Sequence, residues 1–370
     1  MTDVPEFEIF LATLPGMEPT LADEARAAGF ADPTVQPGGV TIRGGWPEVW
    51  RANIMLRGAS RVLVRIGSFR AMHLAQLDKR ARKFPWAETL RPGAVVKVET
   101  TCHRSRIYHA GAATQRIETA LKEEAGATIA ADAPLRIMAR IEDDLVTISL
   151  DTSGEPLHKR GHKQAVGKAP MRETLAALFL RQCGYTGAEP VLDPMCGSGT
   201  FVIEAAEIAM ALPPGRDRAF AFEDLASLDA GAVAALRKTT PRPTDLAFHG
   251  SDRDQGAVRM AGQNAERAGV AGVTRFACRP VSDLERPEGP PGLVIVNPPY
   301  GARIGEKKPL FGLHASLGRV LLERFSGWRV GIVTSEPQLA RATGLPFLPP
   351  GPPIPHGGLK VRLFQTAALP

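Results

Sequence analysis

Leu293-Val294-Ile295-Val296-Asn297-Pro298-Pro299-Tyr300-Gly301 runs four apolar residues straight into an amide, two prolines and an aromatic ring. A short apolar run closed by breakers reads as a buried strand that stops at a site. Two successive prolines lack N–H donors and fix φ, so the strand ladder cannot pass Asn297 and the peptide there is rigid. The amide oxygen of Asn297 and the backbone carbonyl of Pro298 both accept hydrogen bonds, and Tyr300 offers a flat face beside them. That set suits a planar group with an exocyclic NH₂, whose two N–H bonds want acceptors and whose ring wants a stacking partner.

Outward from this strand the C-terminal half alternates strand and helix. Met171 to Cys183 reads as an amphipathic helix and Pro190 to Leu192 as a short strand. Asp193-Pro194-Met195-Cys196-Gly197-Ser198-Gly199-Thr200 then forms a glycine-bearing turn that opens onto a helix from Phe201 to Met210. Leu246 to Gly250 leads into a helix from Asp254 to Ala268, Leu293 to Val296 into one from Gly312 to Phe325, and Val330 to Thr334 adds a strand. This rhythm means a doubly wound α/β sheet, whose ligands bind beyond the carboxyl ends of the strands.

Gly197 and Gly199 sit between a strand and a helix, where a glycine turn lets backbone N–H groups approach a ligand. The turn is neither G-x-G-x-x-G nor a Walker motif, which disfavours dinucleotides and nucleoside triphosphates. Asp193 ahead of it would pair with an ammonium group. Asp252, just past the next strand, is placed either to accept from ribose hydroxyls or to cap the following helix, a role that Asp254 fills more naturally. Asp283 is either an acceptor for an adenine amine or a turn residue only. A ligand with an amino-acid end and a nucleoside end fits this order.

The N-terminal half reads differently. Strand-like segments at Glu6–Leu14, Val40–Ile42 and Arg61–Ile66 interleave with helical ones at Glu18–Ala28 and Trp46–Leu56, suggesting a small ferredoxin-like α+β unit. The pattern restarts with a basic helix at Leu74–Phe84, a strand at Ala94–Thr100, a helix at Ala112–Glu124 and a hairpin of Leu135–Ile141 and Leu145–Leu150 turning at Glu142-Asp143-Asp144.

A chain of 370 residues is long enough for two or three domains, and its 44% hydrophobic content is too high for disorder. The net charge of +6 is unevenly spread: Arg57 to Arg116 carries thirteen Lys or Arg against three acids. That block also holds Trp86, Tyr108, His103 and His109, and its loop Thr101–Arg106 presents Arg104 and Arg106, which suits phosphate contacts. Lys159 and Arg160, in a linker with three glycines, could track an RNA backbone or belong to a plain connector. The four cysteines are dispersed and suggest neither a zinc site nor a disulfide framework. No apolar run is long enough for a membrane span, and the start lacks the pattern of a secretory signal, so a cytoplasmic protein is expected.

Taken together, these motifs resemble the class I S-adenosylmethionine-dependent methyltransferases, and Asn297 to Tyr300 looks like the motif of those that methylate exocyclic amines of nucleobases. Leu56-Arg57-Gly58-Ala59-Ser60-Arg61-Val62, Leu157-His158-Lys159-Arg160-Gly161, Ala169-Pro170-Met171-Arg172-Glu173-Thr174-Leu175 and Gly357-Gly358-Leu359-Lys360-Val361-Arg362-Leu363 are similar to segments of the bacterial THUMP-domain RNA methyltransferases that make N2-methylguanosine, best known from 23S ribosomal RNA.

The resemblance implies a ferredoxin-like domain at 1–67, a THUMP RNA-binding domain at 68–152, a basic linker at 153–170 and a Rossmann-like methyltransferase domain at 171–370. It implies S-adenosylmethionine as cofactor, held by Asp193, Pro194, Gly197, Gly199 and Thr200 on its methionine part, by Asp252 on ribose and by Asp283 on adenine. Asn297, Pro298, Pro299 and Tyr300 would form the catalytic set, and Arg104, Arg106, Lys159 and Arg160 would meet structured RNA, with no metal, membrane or obligate protein partner. The Asn-Pro-Pro-Tyr motif serves guanine N2 and adenine N6 alike, in ribosomal or transfer RNA. A module that binds or remodels RNA without turnover is the alternative of a different class, disfavoured by the intact Asn297, Gly197 and Asp252.

Overall fold

The structure, a computed structural model, describes residues 6–164, 171–300 and 307–370. Gly301, Ala169, Pro170 and the rest of the expected linker beyond residue 164 lie outside the described residues. The chain forms two compact units. One comprises Met1–Thr13, Ala25–Leu157 and Gly215–Lys238, the other Leu14–Glu24, His158–Pro214 and Thr239–Pro370.

The strands of the first unit are β1 (Phe7–Ala12), β2 (Thr34–Gln36), β3 (Gly39–Gly44), β4 (Arg61–Arg70), β5 (Val95–His103), β6 (Thr128–Ile129), β7 (Leu135–Glu142) and β8 (Leu145–Asp151). With them come α1 (Glu18–Ala27), which starts in the second unit's portion of the chain, α2 (Trp46–Met55), α3 (Leu74–Arg82) and α4 (Ala110–Ala125). All eight strands join one sheet in the order β2-β3-β1-β4-β8-β7-β5-β6. Strand β4 pairs with β1 along its first half and, past a register shift between Arg65 and Gly67, with β8 along its second. Residues 67 and 68 therefore both lie inside one strand.

Alternation explains the burial: Ile9 and Leu11 of β1, and Ile137, Ala139 and Ile141 of β7, face the core with less buried residues between them. The β7–β8 hairpin turns at Asp143 and Asp144, with φ of 49° and 61°, a left-handed conformation that aspartate tolerates better than most residues. Strand β5 continues to His103, so Thr101 to His103 of the expected loop are strand and only the residues from Arg104 remain loop.

The second unit contains α5 (Glu173–Gln182), β9 (Val191–Asp193) and α6 (Thr200–Ala209). After α7 (Ala230–Arg237), which folds with the first unit, come β10 (Phe248–Asp252), α8 (Gln255–Arg267), β11 (Thr274–Cys278), β12 (Leu293–Val296), α9 (Lys307–Arg324), β13 (Arg329–Thr334), α10 (Pro337–Ala342), β14 (Ile354–His356) and β15 (Leu359–Gln365). Its sheet runs β11-β10-β9-β12-β13-β15-β14. The first five strands are parallel, whereas β15 runs antiparallel to β13 and β14 antiparallel to β15.

Chain order reverses between β9 and β12, so the loops leaving these strands diverge and open a crevice at the carboxyl edge. Strand β12 is buried on both faces, as its unbroken Leu-Val-Ile-Val run requires. Leu192, Val294, Val296, Val330 and Ile332 pack with Leu317, Leu321, Phe325 and Trp328 into the core beneath that edge. Helix α5 differs from the amphipathic expectation: every residue from Glu173 to Leu180 is buried. No helix among the described residues is long and apolar enough to cross a membrane.

Candidate active site

The glycine turn is fixed from both ends. Cys196 N–H donates to the Ser251 carbonyl at 2.9 Å and Gly199 N–H to the Cys196 carbonyl at 2.8 Å. Gly197 and Gly199 have φ of 51° and 83°, left-handed values that favour glycine, and a Cβ on Gly199 would also stand 3.0 Å from the Ala261 side chain. Thr200 then begins α6.

Asp193 ends β9, buried, with Oδ1 accepting from Met195 N–H at 3.0 Å. Burial pushes its carboxyl up to about 8, against the pull of that hydrogen bond and with the added repulsion of Asp252. A buried carboxyl with one backbone donor and no cationic partner among the described residues is a place where an ammonium group would be welcome. Asp252 is the last residue of β10 rather than lying beyond the strand. Its Oδ2 accepts from Gly197 N–H at 3.1 Å and its Oδ1 from Asp254 N–H at 3.0 Å, while Asp254 caps α8 through Gly256 N–H at 2.7 Å. Asp254 thus takes the capping role, and Asp252 ties the second strand end to the turn.

Strand β12 stops at Val296, as the prolines demand. Oδ1 of Asn297 is buried and has no hydrogen-bond partner among the described residues. A buried acceptor left without a donor costs about 1–3 kcal/mol, so its presence at a strand end is a functional signal. Tyr300 is half-buried, and burial pushes its phenol up to about 12, so it stays protonated.

These residues share a cleft of about 1000 Å³. One end is lined by Pro194, Met195, Asp252, Arg253, Arg279 and Ser282, the other by Asn297, Pro298, Pro299 and Tyr300 with Arg172, His356 and Leu359. Asp193, Gly197, Gly199 and Thr200 are not in its lining, but Asp193 directly precedes Pro194 and Met195, and Gly197 N–H is bound to Asp252. Asp283 is exposed, outside the lining, and accepts a hydrogen bond from the Ser282 hydroxyl at 3.0 Å. Reading from sequence missed Arg253, Arg279 and Ser282, although they follow strand ends, where such residues belong. It also missed His356, which sits on a hairpin the sequence did not disclose. Burial, then Arg172 and Lys163, push the His356 imidazole below its ordinary value, which leaves it neutral at pH 7.

The expected RNA contacts fare unequally. Arg104 and Arg106 are exposed in the loop after β5, but the hairpin acids shadow them: Arg104 pairs with Asp143 at 3.2 Å, and Arg106 N–H donates to Asp144 at 2.8 Å. Tyr108 beside them is 85% exposed. Lys159 is exposed. Arg160 is a correction: its side chain is 1% exposed and bound to Glu204 and Glu207, so it has no surface to offer RNA.

Comparison with known proteins fits this architecture. Residues 8–63 match the RlmL ferredoxin-like domain. The ribosomal RNA large subunit methyltransferase K/L of Syntrophotalea carbinolica is 35% identical over 358 residues, covering 91% of this chain and 50% of that protein, so the chain spans about half the length of this curated relative. Among solved structures, SMU.472 in complex with SAH superposes with a TM-score of 0.89 at 26% identity, covering 99% of both chains. A predicted N6-adenine-specific DNA methylase from Listeria monocytogenes gives 0.85 at 27% identity, covering 98% of this chain and 97% of that one. TrmN from Thermus thermophilus, at 20% identity and a TM-score of 0.74 over 98% of this chain and all of that one, shares the fold. Residues 160–346, half of the chain, match the RMKL-like methyltransferase domain, and the protein belongs to that family of class I, S-adenosylmethionine-dependent methyltransferases.

Proposed function

We propose that the cleft transfers the methyl group of S-adenosylmethionine to the exocyclic N2 amine of a guanine in large-subunit ribosomal RNA. The observation that carries this reading is the buried Oδ1 of Asn297, which has no donor among the described residues and is followed in the chain by the Pro298 carbonyl, a second acceptor for an NH₂ group. The relative's name supports ribosomal RNA as substrate.

The residues present fit the donor. Asp193 would hold its ammonium, the Gly197–Gly199 turn its methionine part and Asp252 its ribose hydroxyls, with Arg253, Arg279 and Ser282 around the adenine end. When bound, the donor supplies a methyl group already activated on sulfonium, so no nucleophilic side chain is called for. The chain's own task is the amine, whose lone pair is delocalised into the base ring. Asn297 and Pro298, by accepting both N–H bonds, favour a pyramidal nitrogen and aim its lone pair along the transfer direction, which is catalysis by orientation and electrostatics. Tyr300 stacks on the base, which must leave its helix to enter. The methylated amine then sheds a proton to solvent.

In this proposal residues 68–152 form the THUMP RNA-capture domain, with Arg104, Arg106 and Tyr108 as its exposed contacts and Lys159 adding a phosphate contact, in a cytoplasmic enzyme. A second reading, adenine N6, is favoured by the description of the Listeria protein. Incubation with labelled S-adenosylmethionine and separate ribosomal RNA, transfer RNA and DNA, followed by digestion to nucleosides, tests both. Label in N2-methylguanosine from ribosomal RNA is the expected result. Label only in N6-methyladenosine would transfer the conclusion to the second reading, and no label in any nucleic acid would end both.

A further inference from the structure

The segment from Arg160 to Lys163 reaches helix α6, helix α8 and the residues flanking Arg172. Arg160 sets its guanidinium on Glu204 and, at 3.4 Å, on Glu207, which share one face of α6, the helix that the glycine turn opens. The His162 carbonyl accepts from Arg267 Nε at 2.7 Å, and the guanidinium of Arg267 also holds Oδ1 of Asn264. Asn264, fully buried on α8, donates from Nδ2 to the Ser198 carbonyl at 3.0 Å, inside the turn itself. Lys163 donates to the Met171 carbonyl at 2.6 Å and pairs with the Glu173 carboxylate at 3.5 Å, so it holds the backbone before Arg172 and the side chain after it, and Arg172 lines the cleft.

Stability alone does not account for this set. Buried ion pairs return about what their desolvation removes, and apolar residues of the same volume often do as well. What buried charges and a fully engaged amide do impose is one arrangement, because any other leaves an uncompensated group. The elements so arranged are the turn, the helix after it and the backbone beside Arg172.

We propose that Arg160 and Arg267, acting through Glu204, Glu207 and Asn264, are positioning residues for the donor-binding turn, so that donor affinity depends on side chains that do not line the cleft. This inference rests on the methyl-donor reading of the turn. Arg160 is thereby moved from a surface contact for RNA to the frame of the cofactor site.

Two variants test it. Asn264→Asp keeps the size and the Arg267 partner but cannot donate to the Ser198 carbonyl, and Arg267→Met removes the hold on Asn264 and His162. For each, calorimetry measures SAH affinity, hydrogen exchange follows the amides of residues 196–199 without ligand, and filter binding measures RNA affinity. The expected result is SAH binding weakened about tenfold, faster exchange at the turn, unchanged RNA affinity and kcat at saturating donor within about twofold, with Arg267→Lys recovering part of the loss. Wild-type SAH affinity and unchanged exchange in both variants would overturn the inference, as would exchange that rises equally across the whole unit. A wild-type protein that ignores SAH while its variants still exchange faster at the turn would remove the donor reading and leave the hold on the turn standing.

Discussion

On the β9–β10 side of the cleft the carboxylates are engaged before any ligand arrives. Asp193 accepts from Met195, and the two oxygens of Asp252 take Gly197 and Asp254. On the β12 side Asn297 keeps a buried oxygen with no donor among the described residues, and Tyr300 is half-buried in the cleft lining. The first side is a rigid mould; the second is completed by its ligand. Such a division is what amine methylation asks for, since the donor is the same in every turnover while the amine must be captured and reshaped each time.

The largest effect expected from breaking this contrast is at Asn297. Under the proposed function Asn297→Ala removes one of two acceptors for the amine, and single-turnover rates should fall by about 10²–10³, the scale seen when one preorganised hydrogen bond to a reacting group is lost. SAH affinity should stay within about twofold. A loss shared equally between rate and SAH affinity would mean that the two sides of the cleft are one unit.

Asp193 breaks the other side. Its carboxyl, held up to about 8 by burial, is largely protonated in the ligand-free protein at neutral pH. An ammonium ligand favours the ionised form, so binding below about pH 8 expels a proton, and donor affinity should rise with pH until that value. Stability has the opposite sign. A carboxyl whose folded value lies above its unfolded value favours the fold most at pH below the unfolded value, and that contribution fades as pH climbs from about 4 to about 8. Asp193→Asn should therefore weaken SAH binding about 10- to 100-fold, the weight of one hydrogen bond to a charged group, and abolish its pH slope. The same variant should raise the melting temperature at pH 8. A pH slope that survives the substitution would assign it to another group.

Arg104 and Arg106 sharpen the comparison from the first unit. Both face solvent, yet both are answered by Asp143 and Asp144, so the contribution to RNA binding proposed for them is a difference between two sets of partners. Replacing both by alanine should weaken RNA binding several-fold and reduce the slope of log affinity against log salt by about 1–2, with SAH affinity untouched. An unchanged slope would take the loop out of the RNA footprint.

The features that could be read from the chain were those whose cause is local. Two prolines end β12 wherever it lies, and a glycine pair between a strand and a helix makes a turn in any sheet, so Asn297 and Gly197 were found at once. Arg160 was misjudged because its burial depends on Glu204 and Glu207, more than forty residues away. The only local hint was two acids inside the otherwise apolar α6 sequence TFVIEAAEIA. His356 was missed for a different reason. Strands β14 and β15 are short and mixed in polarity, and the one local marker of their hairpin is its turn, Gly357-Gly358, with φ of 57° and 83°.

Asp283 gives the smallest expected effect and the finest test of where the donor site ends. The family resemblance implies adenine for Asp283, whereas the structure turns it to solvent and leaves Ser282 and Arg279 in the lining. An exposed carboxylate whose only side-chain partner among the described residues is the neighbouring hydroxyl contributes little, within about 0.5 kcal/mol for such surface changes. Asp283→Ala should thus leave SAH affinity within about twofold, while Arg279→Ala, which removes a side chain from the cleft wall, should weaken it more. If Asp283→Ala weakened SAH binding tenfold, the loop after β11 would have to fold inward on the ligand, and the side of the cleft described as a finished mould would itself be completed by what it binds.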